Sequence, residues 1–367
     1  MSQVKANSYY DTSGGSNAVL YGVAAPANSM GFRNRLINGD CRIDQRNAGA
    51  SVTPTSAGYT LDRWKSEITQ SSKFSVQRST TTATGFTNSL LVTSLSAYSI
   101  SSTDEFLQRQ NIEGFNTADL AWGTASAQAV TLSFLVRSSL TGTFGGSLQN
   151  SGANRCYPFT FTISAANTFE YKTVTIAGDT TGTWVTDNGI GIRVNFGLGV
   201  GSTYSGTAGA WSSTYYSSAT GATSVVGTNG ATFYITGVQL EAGSVASPFE
   251  RVEYGAMLRA CQRYAIKYLG NGAYEKLSLC GWASSSTTFT GAFALPVPMR
   301  SSPTVTFSSL ACATTGGSSA VSAVNVDQTS TLSPSFNFVT TGLTTGYASV
   351  VQANNSTSAF VLLSSEL

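Results

Sequence analysis

The sequence predicts an all-β fold: a jelly-roll β-sandwich, then one amphipathic helix, then a smaller C-terminal β domain. Three observations carry that prediction. Charged residues make up only 10% of the 367-residue chain. Short apolar-alternating runs recur between Gly, Asn, Asp and Ser clusters, the pattern of sandwiches and barrels. One stretch alone replaces that alternation with spacings of three and four. The abundance of Ser, Thr, Gly and β-branched or aromatic residues favours strands and turns throughout.

This length accommodates about two ordinary domains, each with its own core. Residues 1–33 are weakly apolar and carry turn formers at Asn7, Asp11, Gly14, Gly15, Asn28 and Gly31, so they are expected to form an N-terminal arm. Such an arm is either a free tail or a docking segment that orders on a partner. Residues 34–253 form the larger domain. Its strand candidates are Phe74 to Gln77, Ser89 to Thr93, Val130 to Arg137, Tyr157 to Ile163, Glu170 to Ile176, Gly191 to Gly197 and Thr232 to Glu241. Asn188-Gly189 and the stretch from Gly197 to Gly201 are read as turns.

Residues 254–271 are the exception to the β pattern. Met257, Leu258, Cys261, Tyr264, Ala265, Tyr268 and Leu269 fall on one helical face, Arg259, Gln262, Arg263 and Lys267 on the other, and Gly270-Asn271-Gly272 ends the run. A lone helix between β domains either packs on its own domain or bundles with symmetry copies through Met257, Leu258, Cys261, Ala265 and Leu269. Residues 272–367 return to short strands around Leu277 to Trp282, Thr287 to Phe293, Thr304 to Phe307, Ser335 to Thr340, Ala348 to Gln352 and Ala359 to Leu363. They form the second β domain.

Composition also removes function classes. A net charge of +2 with no dense Lys/Arg run argues against nucleic acid as a partner. No stretch has the unbroken apolar length that crosses a bilayer, and the first ten residues lack the apolar core of a secretion signal. The chain has five cysteines at irregular spacing and no histidine, so it offers neither a zinc-site pattern nor a disulfide framework. The cysteines are expected as buried, reduced thiols. Without histidine, Ser-His-Asp and Cys-His catalysis is impossible, and no phosphate-binding loop is present. A carboxylate pair drawn from Asp104, Glu105, Glu113 and Asp119 is the remaining catalytic option. Asp104 and Glu105 are adjacent and would point to opposite faces of a strand, so a non-catalytic protein without cofactor is expected.

Arg35-Leu-Ile-Asn-Gly-Asp40 and Phe233-Tyr-Ile-Thr-Gly-Val-Gln-Leu-Glu241 bracket the larger domain. Together they resemble the first and last strands of carbohydrate-binding jelly-roll modules. The resemblance implies a structural calcium near Asp40 and Glu241, but Thr236-Gly237 stands where such modules often carry an acidic pair, so a metal-free domain is expected. Further segments extend the likeness: Asn38-Gly-Asp-Cys-Arg-Ile-Asp-Gln-Arg-Asn47, Leu61-Asp-Arg-Trp64, Ile112-Glu-Gly114, Ala121-Trp-Gly-Thr124, Gly182-Thr-Trp184, Ser247-Pro-Phe-Glu-Arg251, Cys261-Gln-Arg-Tyr264 and Pro298-Met-Arg-Ser-Ser-Pro303. In this order the set resembles tail fibre proteins of tailed bacteriophages over most of the chain from Arg33 onward.

That resemblance implies a virion-borne homotrimer that docks on a tail or baseplate protein through its N-terminal arm and meets a host surface glycan at its distal end. It would be made in the host cytoplasm, released by lysis and never inserted in a membrane. The alternatives are a structural fibre or capsid-surface decoration without receptor contact and, more remotely, a polysaccharide depolymerase. Read from the residues, Asp62 and Arg63 are expected to satisfy one another while Trp64 enters the core, and Trp122 and Trp184 are expected to pack likewise. A glycan binder needs aromatic faces among short polar side chains on a rigid scaffold. Two places offer them: Trp211, Tyr215 and Tyr216 in the loop from Ser202 to Gly227, and Tyr274, Trp282 and Tyr347 in the C-terminal domain.

Overall fold

The computed structural model describes residues 17–20, 23–26, 32–314 and 317–367, with side chains except at 17–20, 23–26, 278–280 and 314. Most of the expected arm therefore lies outside the described residues. Within it, Asn17–Leu20 pairs antiparallel with Val23–Pro26.

The larger domain is a jelly-roll sandwich. One sheet has the strand order Cys156–Ile163, Gly142–Gln149, Ile190–Val200, Glu105–Glu113, Trp64–Ile68, Gly58–Leu61. The other runs Glu170–Ile176, Val130–Ser138, Thr232–Ala242, Ser89–Ser94, Phe74–Ser79. Phe106, Phe144 and Phe196 of the first sheet meet Phe74, Phe134 and Phe233 of the second in one core. The rings of Phe134 and Phe196 stand edge to face at 5.2 Å, the geometry that aromatic quadrupoles favour.

All seven strands expected in this domain are present. The central strand Glu105–Glu113 escaped notice because its sequence shows no clean alternation, although it is buried from Phe106 to Glu113. Its polar residues are partly matched inside the fold: Gln108 Oε1, Gln110 Nε2 and Asn111 Oδ1 are buried without a hydrogen-bond partner among the described residues, while other groups are engaged. Gln108 donates to the Ser66 hydroxyl, Gln110 accepts from the Ile37 amide, and Arg109 donates to Asn195 and Glu67. The expected strand runs on past Gly197, so that Gly199, read as part of a turn, lies inside it. A Cβ on Gly197 would stand 2.8 Å from the Ser218 hydroxyl, so glycine there allows the loop above to close on the sheet.

The helix is shorter than its spacing predicts. It spans Tyr254–Gln262 and is capped by Glu253, whose carboxylate accepts from the Gly255 and Ala256 amides. Ala265 and Leu269 belong instead to a strand, Ala265–Gly270, which pairs with Ala359–Ser364. Met257 and Cys261 are buried against Ile43, with Leu258, Ile37 and Val252 packed alongside. The apolar face of the helix therefore covers the sandwich, and Leu269 stands exposed at the far end of the following strand.

The C-terminal body has a three-stranded sheet, Ala265–Gly270, Ala359–Ser364, Thr304–Ser308. Its seven-stranded sheet has the order Gly317–Ala320, Leu310–Thr314, Ala348–Ala353, Lys276–Ser285, Thr288–Ala292, Ser335–Val339, Ala323–Gln328. A second core built on Phe289, Phe336, Phe338, Val351, Val361 and Leu363 lies beneath them. Cys41, Cys156, Cys261 and Cys312 are free and buried. Among the described residues no helix is long and apolar enough to cross a membrane.

Candidate functional site

Four strands of the C-terminal sheet carry, on their outer face, a row that no run of sequence displays, in which Thr290 is 7% exposed. Trp282 pairs in register with Thr290, Thr290 with Asn337, and Asn337 with Asn325. Directly paired residues share a face, so these side chains lie side by side across the sheet. The alternation in Ser335-Phe-Asn-Phe-Val339 assigns the faces: Phe336 and Phe338 enter the core, while Ser335 and Asn337 turn outward. Gly281 sets the platform. A Cβ there would sit 2.0 Å from the Thr290 carbonyl oxygen, so only glycine lets the two strands approach beside Trp282.

The result is a shallow groove of about 630 Å³ lined by Trp282, Ser284, Thr290, Asn337, Asp327 and Ser335, among others. Trp282 is 54% exposed. Beside it the Thr290 hydroxyl donates to Asn337 Oδ1 at 2.6 Å, and the Ser335 hydroxyl donates to Asp327 at 2.7 Å. Asn337 Nδ2 donates to the other Asp327 oxygen at 3.4 Å. An aromatic face thus adjoins a fixed set of hydroxyl, amide and carboxylate groups, an arrangement suited to the apolar faces and hydroxyls of a sugar.

The other aromatic candidates do not join this groove. Tyr274 is exposed, but it stands in the turn before the strand Lys276–Ser285 and does not line the groove. Tyr347 is exposed at the turn before Ala348, and its carbonyl accepts from the Ala283 amide. In the loop from Ser202 to Gly227 the aromatics fold onto the sandwich. Trp211 stacks edge to face with Trp122 at 5.4 Å and with Trp184 at 5.5 Å, and its indole N–H donates to the Ala177 carbonyl. Tyr215 donates to Glu105 at 2.7 Å, and burial together with that carboxylate pushes its phenol well above the usual range. The Tyr216 carbonyl accepts from Gln149.

The calcium candidates do not converge either. The Arg35 amide donates to the Leu240 carbonyl and the Val238 amide to that of Gly39, so this segment runs antiparallel to the last strand and sets Asp40 and Glu241 at opposite ends. Asp40 pairs with Arg42. Glu241 accepts from the Ser247 amide and hydroxyl and from Gln239. Among the described residues no group of three acidic or sulfur ligands comes together.

The motif residues meet elsewhere, at the junction of the two bodies. Arg63 ion-pairs with Glu366, donates to the Asn111 carbonyl and lies over the Tyr264 ring at 3.6 Å. Asp62 does not pair with Arg63 as the sequence suggested, but accepts from the Gln45 backbone and side-chain amides at 2.6 and 2.7 Å. The Trp64 indole N–H donates to the Asn38 carbonyl at 3.1 Å. Glu113 accepts from Arg263 and from the Tyr264 hydroxyl. Burial pushes its carboxyl up, but these bonds outweigh it and hold the group below the usual carboxylate range. Arg300 donates to the Ser365 and Glu366 carbonyls and to that of Asn188. The remaining acidic candidates are also engaged, Asp104 by Tyr98 and Thr69, and Asp119 by Arg35.

The chain matches no protein-family model and no curated protein. Among solved structures it is similar to the enzymatically active domain of tailspike protein 4 of bacteriophage CBA120, with 11% identity over 57% of this chain and a TM-score of 0.30. The chain spans 21% of that domain's length. It is also similar to a family 11 carbohydrate-binding module from Clostridium thermocellum in complex with a mixed-linked tetrasaccharide, at 13% identity over 56% of this chain and 100% of the module, with a TM-score of 0.26. TmCBM61 in complex with β-1,4-galactotriose gives 10% identity over 57% of this chain and 99% of that one, with a TM-score of 0.29. None of these likenesses reaches the level at which a site or a ligand passes from one chain to another.

Proposed function

We propose that this chain is a virion tail fibre that adsorbs to a host cell by non-catalytic binding of a surface glycan, and that the Trp282 groove is its receptor site. The groove is the observation that carries this reading: a half-exposed indole opens a row that runs through Thr290 and Asn337 to the strand that carries Asp327. Its only acidic lining residue is Asp327, whereas glycoside hydrolysis uses two carboxyl groups. The four candidate catalytic carboxylates elsewhere already serve Tyr98, Tyr215, Arg263 and Arg35.

Replacing Trp282 by Ala tests the reading. Whole-cell adsorption of purified protein should fall by about two- to tenfold if the ring contributes the roughly 0.5–1.5 kcal/mol typical of a well-placed aromatic contact. Thermal stability should stay near that of the parent, because an exposed ring leaves no cavity. Unchanged adsorption would instead favour a structural fibre segment without receptor contact. The tail or baseplate is the partner proposed for the N-terminal arm, and virion exposure after host lysis is the proposed location.

The assembly proposed is a homotrimer, in which several weak sites act together because a second contact becomes intramolecular once the first has formed. Met257 and Cys261 of the helix pack on Ile43 within the chain, so they are not proposed as its contacts. Light scattering at micromolar concentration should give three times the chain mass, and a stable monomer there would remove the trimer.

A further inference from the structure

Resting on the glycan reading above, we infer that the groove selects uncharged glycans against acidic ones, with Asp327 as the selecting residue. The charge inventory of the C-terminal body supports this. From Gly272 to Leu367 the chain holds only two cations, Lys276 and Arg300, and neither lines the groove. Lys276 pairs with Gln352 and Trp282 with Ala348, four positions apart on the facing strand, or about 13 Å, and the Lys276 amine donates to Gln352. Arg300 is held by three backbone carbonyls at the junction. An acidic glycan laid along the row from Trp282 would therefore bring a charged ring to Asp327 with no cation lining the groove.

The same carboxylate is well placed for neutral sugars. An ionised carboxylate only accepts hydrogen bonds and offers several lone-pair directions. The Ser335 hydroxyl and Asn337 amide occupy one direction on each oxygen, leaving the others to sugar hydroxyls. Such bonds to a charged acceptor are stronger than neutral ones. The row from Trp282 through Thr290 and Asn337 to Asn325 crosses three strand spacings, or about 14 Å, so Asp327 would meet a different ring of the same glycan from the one stacked on Trp282.

The test compares the full chain with Trp282→Ala and Asp327→Asn on an array of neutral hexose oligosaccharides and of uronate- or sialate-containing ones. The parent should bind only neutral members, and Trp282→Ala should weaken that signal by up to about tenfold. Asp327→Asn should bind neutral members about tenfold more weakly, retain the parent's melting temperature and discriminate less against acidic members. Raising salt should likewise soften the parent's rejection of acidic members, because the exposed Asp327 charge is screened. Binding of acidic glycans by the parent that is weakened in Trp282→Ala would overturn the charge selection and leave the glycan reading standing. An unchanged ratio of neutral to acidic binding in Asp327→Asn would also overturn it. Absence of any Trp282-dependent glycan signal would remove both together.

Discussion

The junction between the two bodies and the Trp282 groove are both built from polar and aromatic side chains, and they differ in where those side chains find their partners. At the junction Arg63, Glu366, Glu113, Arg263 and Tyr264 bind one another across residues far apart in the chain. In the groove Trp282 and Asp327 are exposed, with polar neighbours held in place beside them. The segments that resemble a known family, Asn38, Leu61 to Trp64, Ile112 to Gly114, Cys261 to Tyr264 and Pro298 to Pro303, supply many of the junction groups. Those motifs mark how the chain is assembled, while the surface suited to a ligand carries no motif.

Substitution of Arg63 by Met should break this contrast most visibly if it is wrong. Arg63 is 1% exposed and joins Glu366, the Asn111 carbonyl and the Tyr264 ring. Removing one partner of a buried pair typically costs about 3–5 kcal/mol, because the other charge stays desolvated. Arg46 also pairs with Glu366, which places the expected loss nearer the lower figure. Denaturant unfolding should show this loss for Arg63→Met and almost none for Trp282→Ala. Equal stabilities would mean that the junction is no more closed than the groove.

The legibility of the chain follows the same division. Strands with clean alternation, such as Phe74–Ser79 and Ser335–Val339, were readable because one face is apolar and the other polar. Glu105–Glu113 was not, since it buries polar residues on hydrogen-bonded partners. The helix was read too far because Tyr264, Ala265, Tyr268 and Leu269 continue a spacing of three and four, while sheet pairing with Ala359–Ser364 overrides that pattern. Trp282 stood out as an aromatic among small polar residues. Its companions did not, because Thr290 and Asn337 are 47 positions apart and only strand register brings them together.

Asp62 gives the subtler test of the same contrast, through pH. Its carboxyl is buried at the junction; that burial pushes it up from 3.8 to about 6, against the pull of Arg46 and the two Gln45 donors. A raised folded value means that the native state holds the proton more tightly than the unfolded chain. The contribution to stability is therefore fully present below about pH 3.8 and is lost as pH rises through about 6. A rise of about two units corresponds to about 3 kcal/mol. Glu113 works in the opposite direction, because its lowered carboxyl contributes above its ordinary value and that contribution is lost on acidification. The stability curve of the parent alone mixes the two. Subtracting the curve of Asp62→Asn, which keeps Glu113 and its partners, isolates the Asp62 part. Urea midpoints measured from pH 4 to pH 7 should show the parent losing stability relative to Asp62→Asn steadily between about pH 4 and pH 6 and levelling off above that. A flat difference would mean that water reaches Asp62, and the junction would then be as open to solvent as the groove.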